Sequence, residues 1–161
     1  MKICLSCAAG GHLDELLEII EAFEGHSIFF VTIKSEVIKN LEKSYRVRNI
    51  HEPPSPSRLW KLNIHKFQLL SYYISLIIPC LIILLKERPD IVIGSGGEAT
   101  LNISYLAKLI GKKVIYLESL ARVHDISGTG KLVYYIADLF LVQWEGLLVK
   151  YPKAKYWGRI L

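Results

Sequence analysis

Cysteine is scarce in this chain, and so are arginine-rich runs, repeats and low-complexity tracts. Three cysteines in 161 residues are too few for a disulfide scaffold or a cysteine-rich zinc site, and they fit a reducing compartment. Cys4 and Cys7 have the spacing of a redox or zinc pair. They fall inside a predicted strand, however, where residues three apart point to opposite faces, so both are expected to be buried strand residues. No basic stripe interleaved with aromatics occurs. The net charge of +5 therefore suits anionic lipid or phosphate-bearing small molecules, and nucleic acid is not an expected partner. No leader pattern is read at the start, since Lys2-Ile3-Cys4 enters a strand pattern at once.

What is present describes a folded domain. An apolar fraction of 52% with 22% charged residues excludes disorder, and the length suits one domain with a sizeable core. Short β-branched runs alternate with segments of helical length. Strands are expected at Ile3–Cys7, Ser27–Ile33, Tyr45–Ile50, Ile91–Ile93, Lys113–Leu117 and Leu139–Gln143. Helices are expected at about Leu13–Phe23, Ser35–Ser44, Glu98–Ile110 and Thr129–Ala137, and a loop at His51–Ser57. Continuous apolar strands alternating with helices predict an α/β fold, a Rossmann-like parallel sheet with helices on both faces. In such sheets the working residues gather on loops at the carboxyl ends of the strands. Here those loops are Gly94–Glu98, Glu118–Ser127 and Gln143–Gly146, and the small-residue turn Ala8–His12 after the first strand lets the backbone approach an anion at a helix start.

One segment resists a single reading. Phe67–Leu85 is a run of 19 uncharged residues with Lys61, His65 and Lys66 before it and Lys86 and Arg88 after. Its length admits a membrane span. A span would put His12 and Gly96 on opposite sides of the bilayer and break the single sheet. A helix over residues 59–86 facing a membrane surface or a partner, or buried in the core, keeps the sheet intact.

Gly94-Ser95-Gly96-Gly97-Glu98-Ala99 has the Gly-x-Gly-x-x-Ala form of a dinucleotide fingerprint, with Glu118 ending the next strand where a ribose-binding acid belongs. It supports a rival reading, a small NAD(P)- or flavin-dependent oxidoreductase. Against it, the motif lies on the fourth strand, too few residues follow for a substrate domain, and the first strand carries its own glycine turn. Ser127-Gly128-Thr129-Gly130-Lys131 resembles half a P-loop, but Asp125 and Leu132 stand where glycine and a hydroxyl residue are required. Glu118, Arg122, His124 and Asp125 crowd one loop. A carboxylate there can act as a base toward a sugar hydroxyl and Arg122 can hold a phosphate, or Glu118 and Arg122 form a structural ion pair. No Asp-x-Asp occurs, which speaks against a metal-dependent sugar transferase and predicts no metal.

Glu118-Ser119-Leu120-Ala121-Arg122-Val123, Ser127-Gly128-Thr129-Gly130-Lys131-Leu132, Ala137-Asp138, Val142-Gln143-Trp144 and Lys150-Tyr151-Pro152-Lys153-Ala154 follow one another in an order that resembles one family. It is the membrane-anchoring subunit of the two-part UDP-N-acetylglucosamine transferase of lipid-linked oligosaccharide synthesis, with its prokaryotic polysaccharide-biosynthesis relatives. The Gly10-Gly11-His12 turn is similar to that of the single-chain transferase making the peptidoglycan lipid intermediate. The resemblance implies the amino-terminal half of a GT-B glycosyltransferase, which binds a polyprenyl-diphosphate-linked acceptor at the cytoplasmic face of the cell membrane. A donor-binding partner subunit would hold the UDP-sugar. It also implies inverting transfer without metal or cofactor. Gly10, Gly11, Gly96 and Gly97 would line the acceptor diphosphate, with Ser119, Arg122 and Lys131 as further binding residues. Glu118 is the implied base or acceptor-orienting group and His12 the second choice. Ala8-Ala9 departs from the more usual Gly-Ser or Gly-Thr, and without the eukaryotic amino-terminal anchor, membrane attachment would rest on Leu59–Leu85.

Overall fold

Every central strand is apolar on both sides, so each needs cover above and below. The computed structural model describes residues 1–32, 47–53 and 66–160. The helix expected at Ser35–Ser44 and the start of the segment 59–86 lie outside them. Seven strands form one sheet in the order β3-β2-β1-β4-β5-β6-β7, and all neighbours run parallel. They are β1 (Lys2–Cys7), β2 (Ser27–Thr32), β3 (Val47–His51), β4 (Ile91–Ser95), β5 (Lys113–Leu117), β6 (Leu139–Val142) and β7 (Lys155–Tyr156). The helices are α1 (Gly11–Glu18), α2 (Lys66–Glu87), α3 (Glu98–Leu109) and α4 (Gly128–Val133).

Several expected boundaries shift. The first helix stops at Glu18 and a 3-10 turn, Ile20–Phe23, completes the segment. β3 includes His51, which the sequence assigns to a loop. His51 Nε2 lies 2.8 Å from the buried carboxylate of Glu87, which also takes Asn49 and Lys2. One acid at the end of α2 thus ties down β1 and β3. Burial opposes its charge, but Lys2 and His51 hold its pKa down to about 2. The last helix is shorter than expected, ending at Val133, and β7 is an addition to the six expected strands.

The pleat sorts the strand residues into two cores. Cys4, Phe29, Val92, Tyr116 and Phe140 pack with α2 and α3 through Leu76, Cys80, Leu84 and Ile103. Leu5, Cys7, Phe30, Ile93 and Leu117 face the other way, toward Leu13 and Leu16 of α1. Cys4 and Cys7 therefore lie in opposite cores, as alternation requires. Burial pushes the Cys7 and Cys80 thiols up to about 12, which leaves them unreactive.

α2 is apolar nearly all round, and its two sides have different fates. Tyr72, Leu76, Cys80, Ile83 and Leu84 are buried, whereas Ile74, Ile78, Ile82 and Leu85 are exposed and recur at helical spacing. Among the described residues no helix is long and apolar enough to cross a membrane. The α1 side of the sheet is also incompletely covered. Ile93, Ile115, Leu117, Leu139 and Leu141, with Ile19, Phe23, Trp157 and Ile160, line an apolar hollow of about 210 Å³ over β4, β5 and β6.

Candidate functional site

The strand order reverses between β1 and β4, and the turns that leave these neighbours meet at the carboxyl edge of the sheet. That crevice is where open parallel sheets bind ligands. The β1–α1 turn carries Gly10 and Gly11, and the β4–α3 turn carries Gly96 and Gly97. The turns touch: the Ala8 amide donates to the Gly96 carbonyl at 3.2 Å. Gly10 and Gly97 are the N-cap residues of α1 and α3, and neither helix start has a side-chain cap. Their first amides are thus unclaimed by side chains and suit an anion.

His12 sits between the two turns. A β-carbon built on Gly96 would lie 2.5 Å from its Cε1 and Nε2, so the ring rests directly over the Gly96 backbone. Nδ1 points back into the protein, 3.3 Å from Ser95 Oγ and 3.8 Å from Glu15 Oε2. The imidazole is 27% exposed and Glu15 only 4%.

Glu15 is the hub that sequence reasoning missed. Its Oε2 accepts from Ser95 Oγ at 3.1 Å, and its Oε1 accepts from Ser119 Oγ and the Leu120 amide, both at 2.8 Å. One carboxylate on α1 therefore joins the ends of β4 and β5 to the histidine. Burial works against its charge, but His12, the Leu120 amide and the Ser119 and Ser95 hydroxyls outweigh it and lower its pKa. The available signal was its spacing, three residues after His12 on the same helix face.

Glu118 is enclosed just beyond the carboxyl end of β5. It is fully buried, and its oxygens accept from the Ser119 amide (3.0 Å), the Ser127 amide (2.9 Å) and Ser127 Oγ (3.1 Å). Burial raises its pKa despite these donors. Ser127 Oγ in turn accepts from the Gly130 amide, capping α4. Glu118 thus holds the β5 loop to the start of α4. A carboxylate so enclosed cannot reach a ribose, which removes the acid that the dinucleotide reading required.

The other expected site residues divide. Ser119 joins the cleft through Glu15. Arg122 is exposed on the loop, and among the described residues it forms no ion pair, so the Glu118–Arg122 pair is not made. Lys131 pairs with Asp125 at 2.6 Å. That contact and the Tyr151 hydroxyl hold the Asp125 carboxyl down to about 2. Gln143 and Trp144 buttress the same loop: Gln143 Nε2 donates to the Glu118 carbonyl (3.2 Å) and Trp144 Nε1 to the Leu120 carbonyl (2.6 Å). Arg159 stacks over the Trp144 ring at 3.9 Å.

Most of the motifs carrying the resemblance thus meet around one loop beside the cleft, whereas Ala137-Asp138 lies at the amino end of β5, where Asp138 accepts from the Val114 amide and pairs with Lys108. The family model for "Oligosaccharide biosynthesis protein Alg14 like" matches residues 3–160. The chain belongs to this Alg14-like family. The human UDP-N-acetylglucosamine transferase subunit ALG14 is 42% identical over 82 residues, which cover 47% of this chain and 38% of the human protein. The Schizosaccharomyces pombe subunit is 30% identical over 93% of this chain and 79% of its own length. Among solved structures, Acinetobacter baumannii MurG superposes with a TM-score of 0.71 at 16% identity, covering 99% of this chain and 45% of MurG. The Alg14-like chain thus spans about half the length of that protein, and its fold is the amino-terminal Rossmann-like half of a GT-B glycosyltransferase.

Proposed function

We propose that this Alg14-like chain is the acceptor-binding, membrane-associating subunit of a two-chain inverting glycosyltransferase. The reaction moves N-acetylglucosamine from a UDP-sugar, held by the partner subunit, to a polyprenyl-diphosphate-linked saccharide at the cytoplasmic membrane face. The observation that carries this reading is the meeting of two uncapped helix starts at the switch point with His12 between them. The Gly10-Gly11 and Gly96-Gly97 turns receive the acceptor diphosphate, with charge stabilised by backbone amides and no metal. Arg122, exposed beside Ser119, reaches the anion from the loop, and Lys131 reaches it only by leaving Asp125. His12 serves as the base toward the acceptor hydroxyl, and Glu118 acts by holding the loop.

Two surfaces support the remaining parts of the reading. The aliphatic stripe Ile74, Ile78, Ile82 and Leu85 on α2 suits a lipid interface flanked by basic residues. The uncovered apolar hollow over β4–β6 suits the partner chain, because a sheet buried on both faces needs cover there.

The test is co-expression of this chain with its genomic neighbours, then transfer from UDP-N-acetylglucosamine to a polyprenyl-diphosphate acceptor. The chain alone is expected to be inactive and the complex active. His12→Ala in the complex should lower kcat by about a hundredfold, the range for losing a general base. Full activity of that variant would remove His12 from the chemistry. In a separate measurement, the pair Ile78→Asp and Ile82→Asp should abolish sedimentation with anionic vesicles and leave the melting temperature within about 2 °C, since surface changes cost little. Unaltered vesicle binding would show that α2 does not face the membrane.

A further inference from the structure

Hydrogen-bond bookkeeping around His12 has only one consistent solution. Glu15 is a carboxylate, and a carboxylate only accepts. Its Oε2 is 3.1 Å from Ser95 Oγ, so the single Ser95 hydroxyl proton must lie on that line. Ser95 Oγ then presents only lone pairs toward His12 Nδ1, 3.3 Å away. Nδ1 must therefore carry the proton, and its N–H also faces the Glu15 charge at 3.8 Å. In the neutral ring this leaves Nε2 bare. Nε2 lies over Gly96 and takes no hydrogen bond from the described residues.

We infer that Glu15, acting through Ser95, is a positioning residue that fixes His12 in the Nδ1–H tautomer and turns its Nε2 lone pair toward the cleft. The logic is that of any histidine whose free nitrogen is set by the bond its other nitrogen makes. Free histidine favours the opposite tautomer, so the protein is enforcing a choice. The inference deepens the proposed function and rests on it only for the use of that lone pair. As the acceptor oxygen bonds to the sugar's anomeric carbon, its proton passes to Nε2. The bond from sugar to phosphate breaks, UDP leaves with the electron pair, and His12 later releases the proton to solvent.

The low pKa of Glu15 agrees with the required charge state. The same carboxylate fixes the Ser119–Leu120 loop through Oε1, so the base and the loop move as one body. The two oxygens have unequal duties, and this makes Glu15→Gln informative. The amide oxygen takes the Oε1 place, where two donors wait, and its NH2 takes the Oε2 place. That NH2 donates to Ser95 Oγ, whose own proton must turn to His12 Nδ1. The tautomer then flips, and Nε2 becomes a donor unable to accept a proton.

The experiment is nitrogen-15 NMR of the full chain, labelled at histidine, at a pH alkaline enough for a neutral ring, with His12 assigned by comparison with His12→Ala. The expected result is a protonated Nδ1 and a bare Nε2 in the native chain, exchanged in Glu15→Gln. A native chain with Nε2 protonated overturns the inference without any variant being needed. An unchanged tautomer in a folded Glu15→Gln overturns the role of Glu15. Both readouts are independent of transfer, so a complex that moves no sugar would refute the proposed function and leave the tautomer assignment standing. In an active complex, Glu15→Gln should lower kcat about a hundredfold and leave KM within a factor of about 2, since proton transfer is lost and acceptor contacts are kept.

Discussion

Gly97→Ala should destabilise the chain by about 2–6 kcal/mol and abolish any activity of its complex, because two separate costs fall on one residue. Gly97 has φ +94° and ψ 161°, a region essentially closed to residues with a β-carbon, and holding alanine there costs about 1–3 kcal/mol. The added carbon would also lie 2.9 Å from the Ala8 amide nitrogen and 3.0 Å from the Ala8 β-carbon. Backbone at the end of β1 yields poorly, and overpacking of this kind costs about 1–3 kcal/mol more. For a chain of this size the sum is a fall of roughly 5–20 °C in melting temperature. Gly96→Ala makes the contrast. Its φ of +64° costs about 1–2 kcal/mol for alanine, and the new carbon meets the His12 ring, a side chain that can rotate away. Gly96→Ala should therefore keep the fold with His12 displaced, and Gly97→Ala should lose the fold first. Thermal unfolding of the pair separates them. Equal melting temperatures would mean that the two turns are not packed as tightly as the Ala8–Gly97 contact indicates.

Legibility in the sequence followed the range of the interactions. The central strands were readable because a buried parallel strand is a short apolar run, whatever lies beside it. The glycine turns and His12 were readable for the same local reason. β7 was not, since two residues that pair with β6 carry no period of their own. Glu15 was illegible in a stronger sense. It lies among Asp14 and Glu18 and looks like one more solvated acid, and only partners 80 and 104 residues away, Ser95 and Ser119, bury it. Glu118 shows the converse. Its place at the carboxyl end of β5 is legible from the strand pattern, but the direction of its carboxylate depends on Ser127, nine residues on. Lys131 looked available for an anion because its pairing with Asp125 is a loop contact that no spacing rule predicts. The long apolar run before Lys86 was readable as helix, and its division into a core side and an exposed aliphatic side came only from packing against α3.

Glu118→Ala is expected to cost about 3–5 kcal/mol, and its pattern of effects decides whether Glu118 holds the loop or performs chemistry. Removing the carboxylate leaves the Ser119 and Ser127 amides buried without acceptors, at about 1–3 kcal/mol each. It also leaves a void against Gly130, whose own missing β-carbon would lie only 2.1 Å from Glu118 Oε2. The melting temperature should fall by roughly 6–20 °C. Glu118→Gln should cost less, about 1–3 kcal/mol, because one oxygen still accepts from Ser127 while the NH2 is set against the Ser119 amide. The sign of the pH effect separates these variants further. Burial raises the folded pKa of Glu118 above its unfolded value near 4.5. Its favourable linkage is therefore fully present below that unfolded value and is lost as pH rises through the higher folded value. The stability difference between the native chain and Glu118→Gln should accordingly move in favour of Gln as pH rises through this window. Urea unfolding at a series of pH values measures it. A Glu118→Ala chain that melts like the native one while its complex loses transfer would mean that the carboxylate opens to the cleft and acts as the base itself. A chain that melts early, with transfer rescued in part by Gln, is the result for a residue that holds the loop on which Ser119 and Leu120 meet Glu15.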